Sequence, residues 1–260
     1  MKPTRSHEKR WRLSWLAVAA VIATLAAGTL ATVAPAAAQE EEDEAGWDYR
    51  LTLYMLGAAQ SGTTTIRGID AEVDLSFSDI LSNLEIGGML HFRAQSDRWI
   101  VQFDSIYMAL ESELDPLPAT ADFDQTALEL VGGYRFDPQL EVLFGLRYNR
   151  IGGGLTGDAT GRLQIDGSED WIDPLVGIAW TPRISEHWMA RLRGDIGGFS
   201  IGSDFAYQLV GIVGWDFARR WSLIFGYRYL DMDYETGSGS DLFRYDVATS
   251  GPQVGFSFRF

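Results

Sequence analysis

The chain closes on Val254-Gly255-Phe256-Ser257-Phe258-Arg259-Phe260, with aromatic side chains on alternate positions and one of them as the last residue. A period of two places Phe256, Phe258 and Phe260 on one face of a strand and Ser257 and Arg259 on the other. In water, a terminal strand with three exposed Phe on one face invites edge-to-edge aggregation. In a bilayer the same face meets lipid.

Working back from this ending, no segment after residue 45 shows sustained helical periodicity. Alternating runs of about ten residues recur instead, separated by Gly, Asp, Pro and Ser clusters. The first carries Trp47, Tyr49, Leu51, Leu53 and Met55 on one face. Later sets include Trp99, Val101, Phe103 and Tyr107; Leu140, Val142, Phe144, Leu146 and Tyr148; and Trp221, Leu223, Phe225, Tyr227 and Tyr229. This repetition predicts an all-β fold, an antiparallel up-and-down transmembrane β-barrel of about ten strands, with eight and twelve as the neighbouring counts.

Connections alternate in length. Short ones fall at Ser96–Arg98, Asp137–Gln139, Thr181–His187 and Ala218–Arg220, and long ones at Ala58–Glu85, Glu111–Gln125, Arg150–Asp170, Gly197–Asp204 and Asp233–Phe243. Short periplasmic turns and long extracellular loops are the outer-membrane rule. Within the first long connection, Thr63–Arg67 and Ala71–Phe77 read as a hairpin about Gly68-Ile69-Asp70, followed by a capped helical turn over Ser78–Leu84. Trp47, Trp99, Phe136, Trp180, Trp188, Trp215, Phe217, Trp221 and Phe260 gather at the short-turn ends, as an interfacial girdle requires.

The C-terminal pattern resembles the terminal-Phe signature of Gram-negative outer-membrane β-barrels, and that resemblance implies recognition of Phe256, Phe258 and Phe260 by the outer-membrane assembly machinery. The N-terminus agrees with it. Lys2, Arg5, Lys9, Arg10 and Arg12 precede an apolar run from Trp15 to Val33 and a small-residue exit at Ala36-Ala37-Ala38. Residues 1–38 therefore read as a secretory signal peptide, 39–46 as an acidic disordered leader and 47–260 as the barrel domain. An uncleaved anchor is the competing reading, disfavoured by the Ala, Thr and Gly content of the run.

The full chain has 21 basic and 36 acidic side chains, a net charge of −15; residues 1–38 hold five of the former and one of the latter, leaving −19. An acidic chain cannot neutralise phosphates at the density nucleic-acid binding needs. Cysteine is absent, which excludes disulfides, thiol nucleophiles and Cys-ligated metals.

If the apolar sets face lipid, the alternate residues fill a lumen. They form a charge cluster of Arg50, His91, Arg93, Asp104, Glu129, Arg147, Asp173, Arg191, Arg193, Asp195 and Arg228, with Gln102, Arg135, Glu141 and Arg259 beside it. In a narrow barrel such charges meet as Arg–carboxylate pairs. Two readings follow: a salt-bridged core that blocks the lumen, and the charged constriction of a small pore.

Omptin-type outer-membrane proteases resemble the chain in architecture, but their chemistry needs a His with carboxylates at the extracellular rim. After residue 45 the histidines are His91, on the inward face, and His187, in a short turn. Barrel acyl hydrolases place a Ser and His pair on the lipid face, where His91 does not fall. No catalytic site, cofactor or metal site is therefore expected. Asp115, Asp122, Asp124, Asp158, Asp166, Glu169, Asp170, Asp231, Asp233, Glu235, Asp241 and Asp246 load the long connections with carboxylates able to attract divalent cations, without a Ca²⁺-loop spacing.

Several stretches together, including Val73–Leu84, Trp171–Gly177, Asp195–Asp204, Gly226–Asp231 and Tyr245–Val247 followed by Gly251-Pro252, resemble a widespread family of uncharacterised proteobacterial outer-membrane β-barrel proteins. The resemblance implies residence in the outer membrane, with lipid, lipopolysaccharide, the assembly machinery and periplasmic chaperones as partners, and brings no catalytic motif. The expected function is a non-enzymatic envelope component or a narrow channel for small solutes. The alternative is a surface interaction or adhesin-type barrel acting through acidic extracellular loops.

Overall fold

The computed structural model describes residues 46–114, 119–157 and 163–260. The expected signal peptide, nearly all of the acidic leader, Asp115 and Asp158 lie outside the described residues. Alternation in the remainder yields twelve strands: β1 (Asp48–Leu56), β2 (Ala59–Ile66), β3 (Ile69–Leu75), β4 (Leu84–Gln95), β5 (Trp99–Leu114), β6 (Ala119–Asp137), β7 (Leu140–Gly157), β8 (Leu163–Trp180), β9 (Trp188–Gly197), β10 (Phe205–Ala218), β11 (Trp221–Thr236) and β12 (Phe243–Arg259). Ten of them, β1 and β4 to β12, close an antiparallel barrel. Closure comes from β1 against β12, in register from Arg50↔Arg259 to Leu56↔Gln253.

Closing the sheet removes the unpaired edge that hydrocarbon forbids. On the outside, the girdle residues near the short turns are 38 to 68 % exposed. Stacked rings tie neighbours together, as between Trp188 and Trp215 (6.0 Å) and between Tyr49 and Phe260 (5.7 Å). Further along β10, Val213 and Leu209 are exposed, and a second aromatic pair, Tyr207 on Tyr229 (5.5 Å), ends the apolar stretch. From Trp215 to Tyr207 a tilted strand climbs roughly 20 Å, close to the apolar band of about 25 Å in an outer-membrane barrel.

The long connections differ from expectation. β7 and β8 stay paired from Leu140↔Trp180 to Gly157↔Leu163, β5 and β6 from Trp99↔Tyr134 to Leu114↔Ala119, and β11 and β12 from Trp221↔Phe258 to Thr236↔Phe243. Most of what reads as loop is strand continuing beyond the apolar band. The cause is a reversal of polarity along a single alternation. In β11, Phe225 and Tyr227 point out while Ser222 and Arg228 point in; past Tyr229, Asp231, Asp233 and Glu235 point out while Leu230, Met232 and Tyr234 are buried inside. Asp122 and Asp124 on β6, and Asp246 on β12, are likewise strand residues rather than loop residues.

One cluster of inward apolar residues, Val131, Leu143, Leu175 and Ala179, lies on the inner wall of β6, β7 and β8 nearer the short turns, and two lie at the long-hairpin end. In one, Trp171 lies flat on Tyr234 at 4.0 Å among Ile151, Ala206, Leu230, Met232, Phe243, Tyr245 and Val247. In the other, Ile80 packs with Ala58, Met108 and Leu110; Phe123 touches both. Ile80 belongs to α1 (Phe77–Ser82), capped at Ser76, which starts one residue before the expected helical turn. The Ser76 hydroxyl donates to Asp79 Oδ2 (2.6 Å) and holds its carboxyl below the ordinary range, so the cap is intact above that range and lost as pH falls through the lowered value.

The β2–β3 hairpin turns on Arg67-Gly68, both with positive φ, instead of on Gly68–Asp70; two such residues suit a two-residue hairpin turn. β2 continues the wall beside β12, and its last residue, Ile66, reaches the opposite strands. A Cβ on Gly167 of β8 would stand 2.8 Å from Ile66, and one on Gly153 of β7 would stand 3.2 Å away. The missing side chains make room for the hairpin to lean over the mouth. Overpacking of this kind costs about 1–3 kcal/mol. Gly167→Val is therefore expected to speed tryptic cleavage after Arg67 about 5- to 100-fold while the barrel stays resistant, because cleavage follows the open population. Equal cleavage of both proteins would show that Ile66 does not hold the hairpin.

Candidate functional site: the charged lumen

Below the two long-hairpin clusters the inward face turns largely polar, apart from Val131, Leu143, Leu175 and Ala179 on β6 to β8. Direct cross-strand pairing lines up Ser222, Ser257, Thr52, His91, Asp104, Glu129, Arg147 and Asp173 on successive strands. Asp104 and Glu129 are neighbours of like sign, a destabilising pair unless cations reach them. Cations do so from across the lumen.

Three groups result. Arg147 bridges Glu129 (2.9 Å) and Asp195 (2.8 Å), and Arg193 bridges Glu129 (2.7 Å) and Asp195 (2.8 Å), so two guanidiniums and two carboxylates form a closed ring. Asp104 accepts from Tyr54 (2.8 Å) and Arg228 (3.2 Å) and meets His91 Nδ1 at 3.1 Å, with Arg228 above the Tyr54 ring. Glu141 holds Arg93 (2.5 Å) and Arg191 (2.9 Å). Most of these side chains are buried, and buried charges persist only when paired this fully.

Two members of the expected cluster sit differently. Among the described residues Asp173 meets no cation at bonding distance; it accepts from Asn149 (2.9 Å), the Trp171 indole (3.2 Å), and the Ser203 amide (2.6 Å) and hydroxyl (2.9 Å), anchoring the β9–β10 turn. Among the described residues no carboxylate reaches ion-pair distance of Arg50, whose Nη1 faces Met189 Sδ at 3.6 Å. Tyr54 and Glu141, outside the expected cluster, are needed to complete two of the three groups. Alternation puts both on the inward face, but a phenol's role as a carboxylate donor has no sequence signal.

At the short-turn end the wall encloses a cavity of about 390 Å³ that reaches Pro138, Gln139 and Pro182 in the turns. The lumen is thus layered: apolar at the long-hairpin end, ion-paired in the middle, hollow at the short-turn end. His91, the histidine in this cavity, is bound to Asp104. Among the described residues it makes no hydrogen bond to a serine or threonine hydroxyl, and no three His, Asp or Glu side chains converge as a metal site.

A closed ten-strand antiparallel barrel with an apolar outer band and a polar interior decides the class. The fold is that of an outer-membrane β-barrel. The outer membrane protease OmpT from Escherichia coli superposes with a TM-score of 0.54 over 85 % of this chain and 99 % of that one, at 8 % identity. The attachment invasion locus protein Ail of Yersinia pestis (TM-score 0.40, 10 % identity, 83 % of this chain and 99 % of that one) and the translocator domain of autotransporter NalP from Neisseria meningitidis (0.41, 16 %, 84 % and 90 %) are more distant. No family model matches the chain, and no curated protein matches it in sequence.

The ring and the rim make opposite predictions. Asp195→Asn leaves Arg147 and Arg193 sharing one carboxylate and is expected to cost about 3–5 kcal/mol. Asp48→Asn, which removes the half-buried partner of the exposed Arg259 (2.9 Å), is expected to cost less than about 1 kcal/mol. Urea unfolding of the refolded protein in detergent reads both; similar costs for the two would contradict the pairing.

Proposed function

We propose that the protein is an integral outer-membrane envelope component, non-enzymatic, with a lumen closed to through-passage of solutes. Trp171 stacked on Tyr234 inside the barrel mouth carries this reading, since apolar rings packed across a lumen leave no wetted path. The salt-bridged middle layer is a second barrier beneath it. The short turns and both ends of the barrel domain then face the periplasm, and the acidic strand extensions face outward.

Within this reading, Phe256, Phe258 and Phe260 serve recognition by the assembly machinery, and lipid and lipopolysaccharide surround the band, with divalent cations drawn to the outward carboxylates. Membership of the proteobacterial family, resting on the sequence stretches quoted above, is part of the same proposal. The absence of catalysis is supported by the position of His91 and His187, both away from the long-hairpin rim. A surface-interaction role is favoured by one observation, the exposure of Ile69 and Leu81 on the β2–β3 hairpin and α1.

In planar bilayers the refolded protein is expected to give no discrete conductance steps. Stable unitary steps would reject a closed lumen and restore the small-pore reading.

A further inference from the structure

The hollow end of the lumen carries an excess of cations. Arg50 lies directly across from Arg93 on β4 and from Arg259 on β12, three like charges side by side on adjoining strands. Arg93 Nε and Arg135 Nη2 both donate to one acceptor, Gln95 Oε1, at 2.9 and 3.0 Å, which draws these two guanidiniums together as well. Arg191 joins them through Glu141, which it shares with Arg93. Arg50, Arg93, Arg135 and Arg191 thus line one cavity with Glu141 as the carboxylate among them; Asp104, the other carboxylate of its wall, is taken by Arg228. The other carboxylates near this end are already engaged: Asp48 by Arg259 and Asp216 by Arg183, at 2.9 and 3.1 Å.

Directly opposed like charges destabilise a sheet, and a guanidinium taken from water without a counter-charge is costly. Donors are also left over. Among the described residues, Arg135 Nε, Arg193 Nη2, Arg228 Nε and the Nε2 of Gln102, a residue only 2 % exposed, line the cavity buried without a hydrogen-bond partner, against one unpartnered acceptor, Gln253 Oε1. Buried donors and surplus guanidiniums lining the same hollow describe a site lacking its acceptor. Arg presents a planar fork suited to a two-oxygen anion.

We propose that this cavity is a binding site for a small oxyanion, a phosphate or carboxylate group borne by a solute. Arg50 and Arg135 are its principal ligands, Arg93 and Arg191 flank it, and Gln102 donates from the wall. The volume holds a molecule larger than the anion itself, and Met189, Ile212 and Ile224 supply an apolar wall for its body. The binding chemistry stands whether or not the lumen conducts; only the compartment that supplies the ligand, the periplasm, rests on the orientation proposed above.

Calorimetric titration of the full refolded chain in a non-ionic detergent, with inorganic phosphate and separately with butyrate, tests it. At least one probe is expected to bind, and the tighter one distinguishes a phosphate from a carboxylate ligand. Arg50→Gln and Arg135→Gln are each expected to weaken binding about 10- to 100-fold, the scale of one charged hydrogen-bond partner. Salt is expected to weaken it further. A thermal melt separates loss of fold from loss of site: the bound anion raises the unfolding temperature of the parent protein, while Arg50→Gln, relieved of its charged neighbours, melts no lower than the parent without anion and gains less from it at the same anion concentration. Binding of neither probe at millimolar concentration, or equal binding by the parent and both variants, would overturn the proposal. So would an Arg50→Gln protein that melts well below the parent in anion-free buffer.

Discussion

A charge turned into a ten-strand barrel loses most of its water, and whatever is not paired there must be compensated or excluded. That constraint organises the interior. The four-membered ring of Arg147, Arg193, Glu129 and Asp195 satisfies it in the middle of the barrel, where all four side chains are buried. Strand register follows from the same requirement: slipping β7 by one residue against β6 would turn Arg147 to the lipid face. The β1–β12 ladder that closes the wall keeps the lumen dry enough for these pairs to count.

Toward the long-hairpin end the constraint is met by exclusion. Past the outer aromatic pair the alternation persists and its polarity reverses, acidic residues outside and apolar residues inside, as in a water-soluble barrel with a packed core. One continuous strand such as β11 therefore passes from a membrane environment to an aqueous one without a break in its hydrogen bonding. The change of phase marks where the surroundings change, and the apolar core it creates is the ground for proposing a closed lumen.

This reversal also explains which features were legible in the sequence. The strands within the band, their ends and the inward charges follow from one rule, apolar out and polar in, and Trp221 to Tyr229 obeys it. Leu230 to Glu235 breaks that rule while keeping the period, so runs such as Glu111–Gln125 and Arg150–Asp170 resemble loops. The β2–β3 hairpin and its helix were legible because turn and cap residues signal locally, whereas the reach of Ile66 to Gly153 and Gly167 is a tertiary contact. Among the site residues, side-chain direction was readable and pairing was not: nothing in the sequence distinguishes Asp173, held by neutral donors, from Asp195, held by two arginines.

The asymmetric lumen, sealed at one end and hollow at the other, is tested most directly by cysteine accessibility, for which a chain without native cysteine is well suited. Met232→Cys, within the apolar core, and Ile212→Cys, on the cavity wall, are treated in the folded state with a small water-soluble maleimide. Rapid labelling at 212 with none at 232 is the outcome required by a closed long-hairpin end. Comparable labelling at both positions would mean that water runs through the barrel, and the layered interior would be wrong.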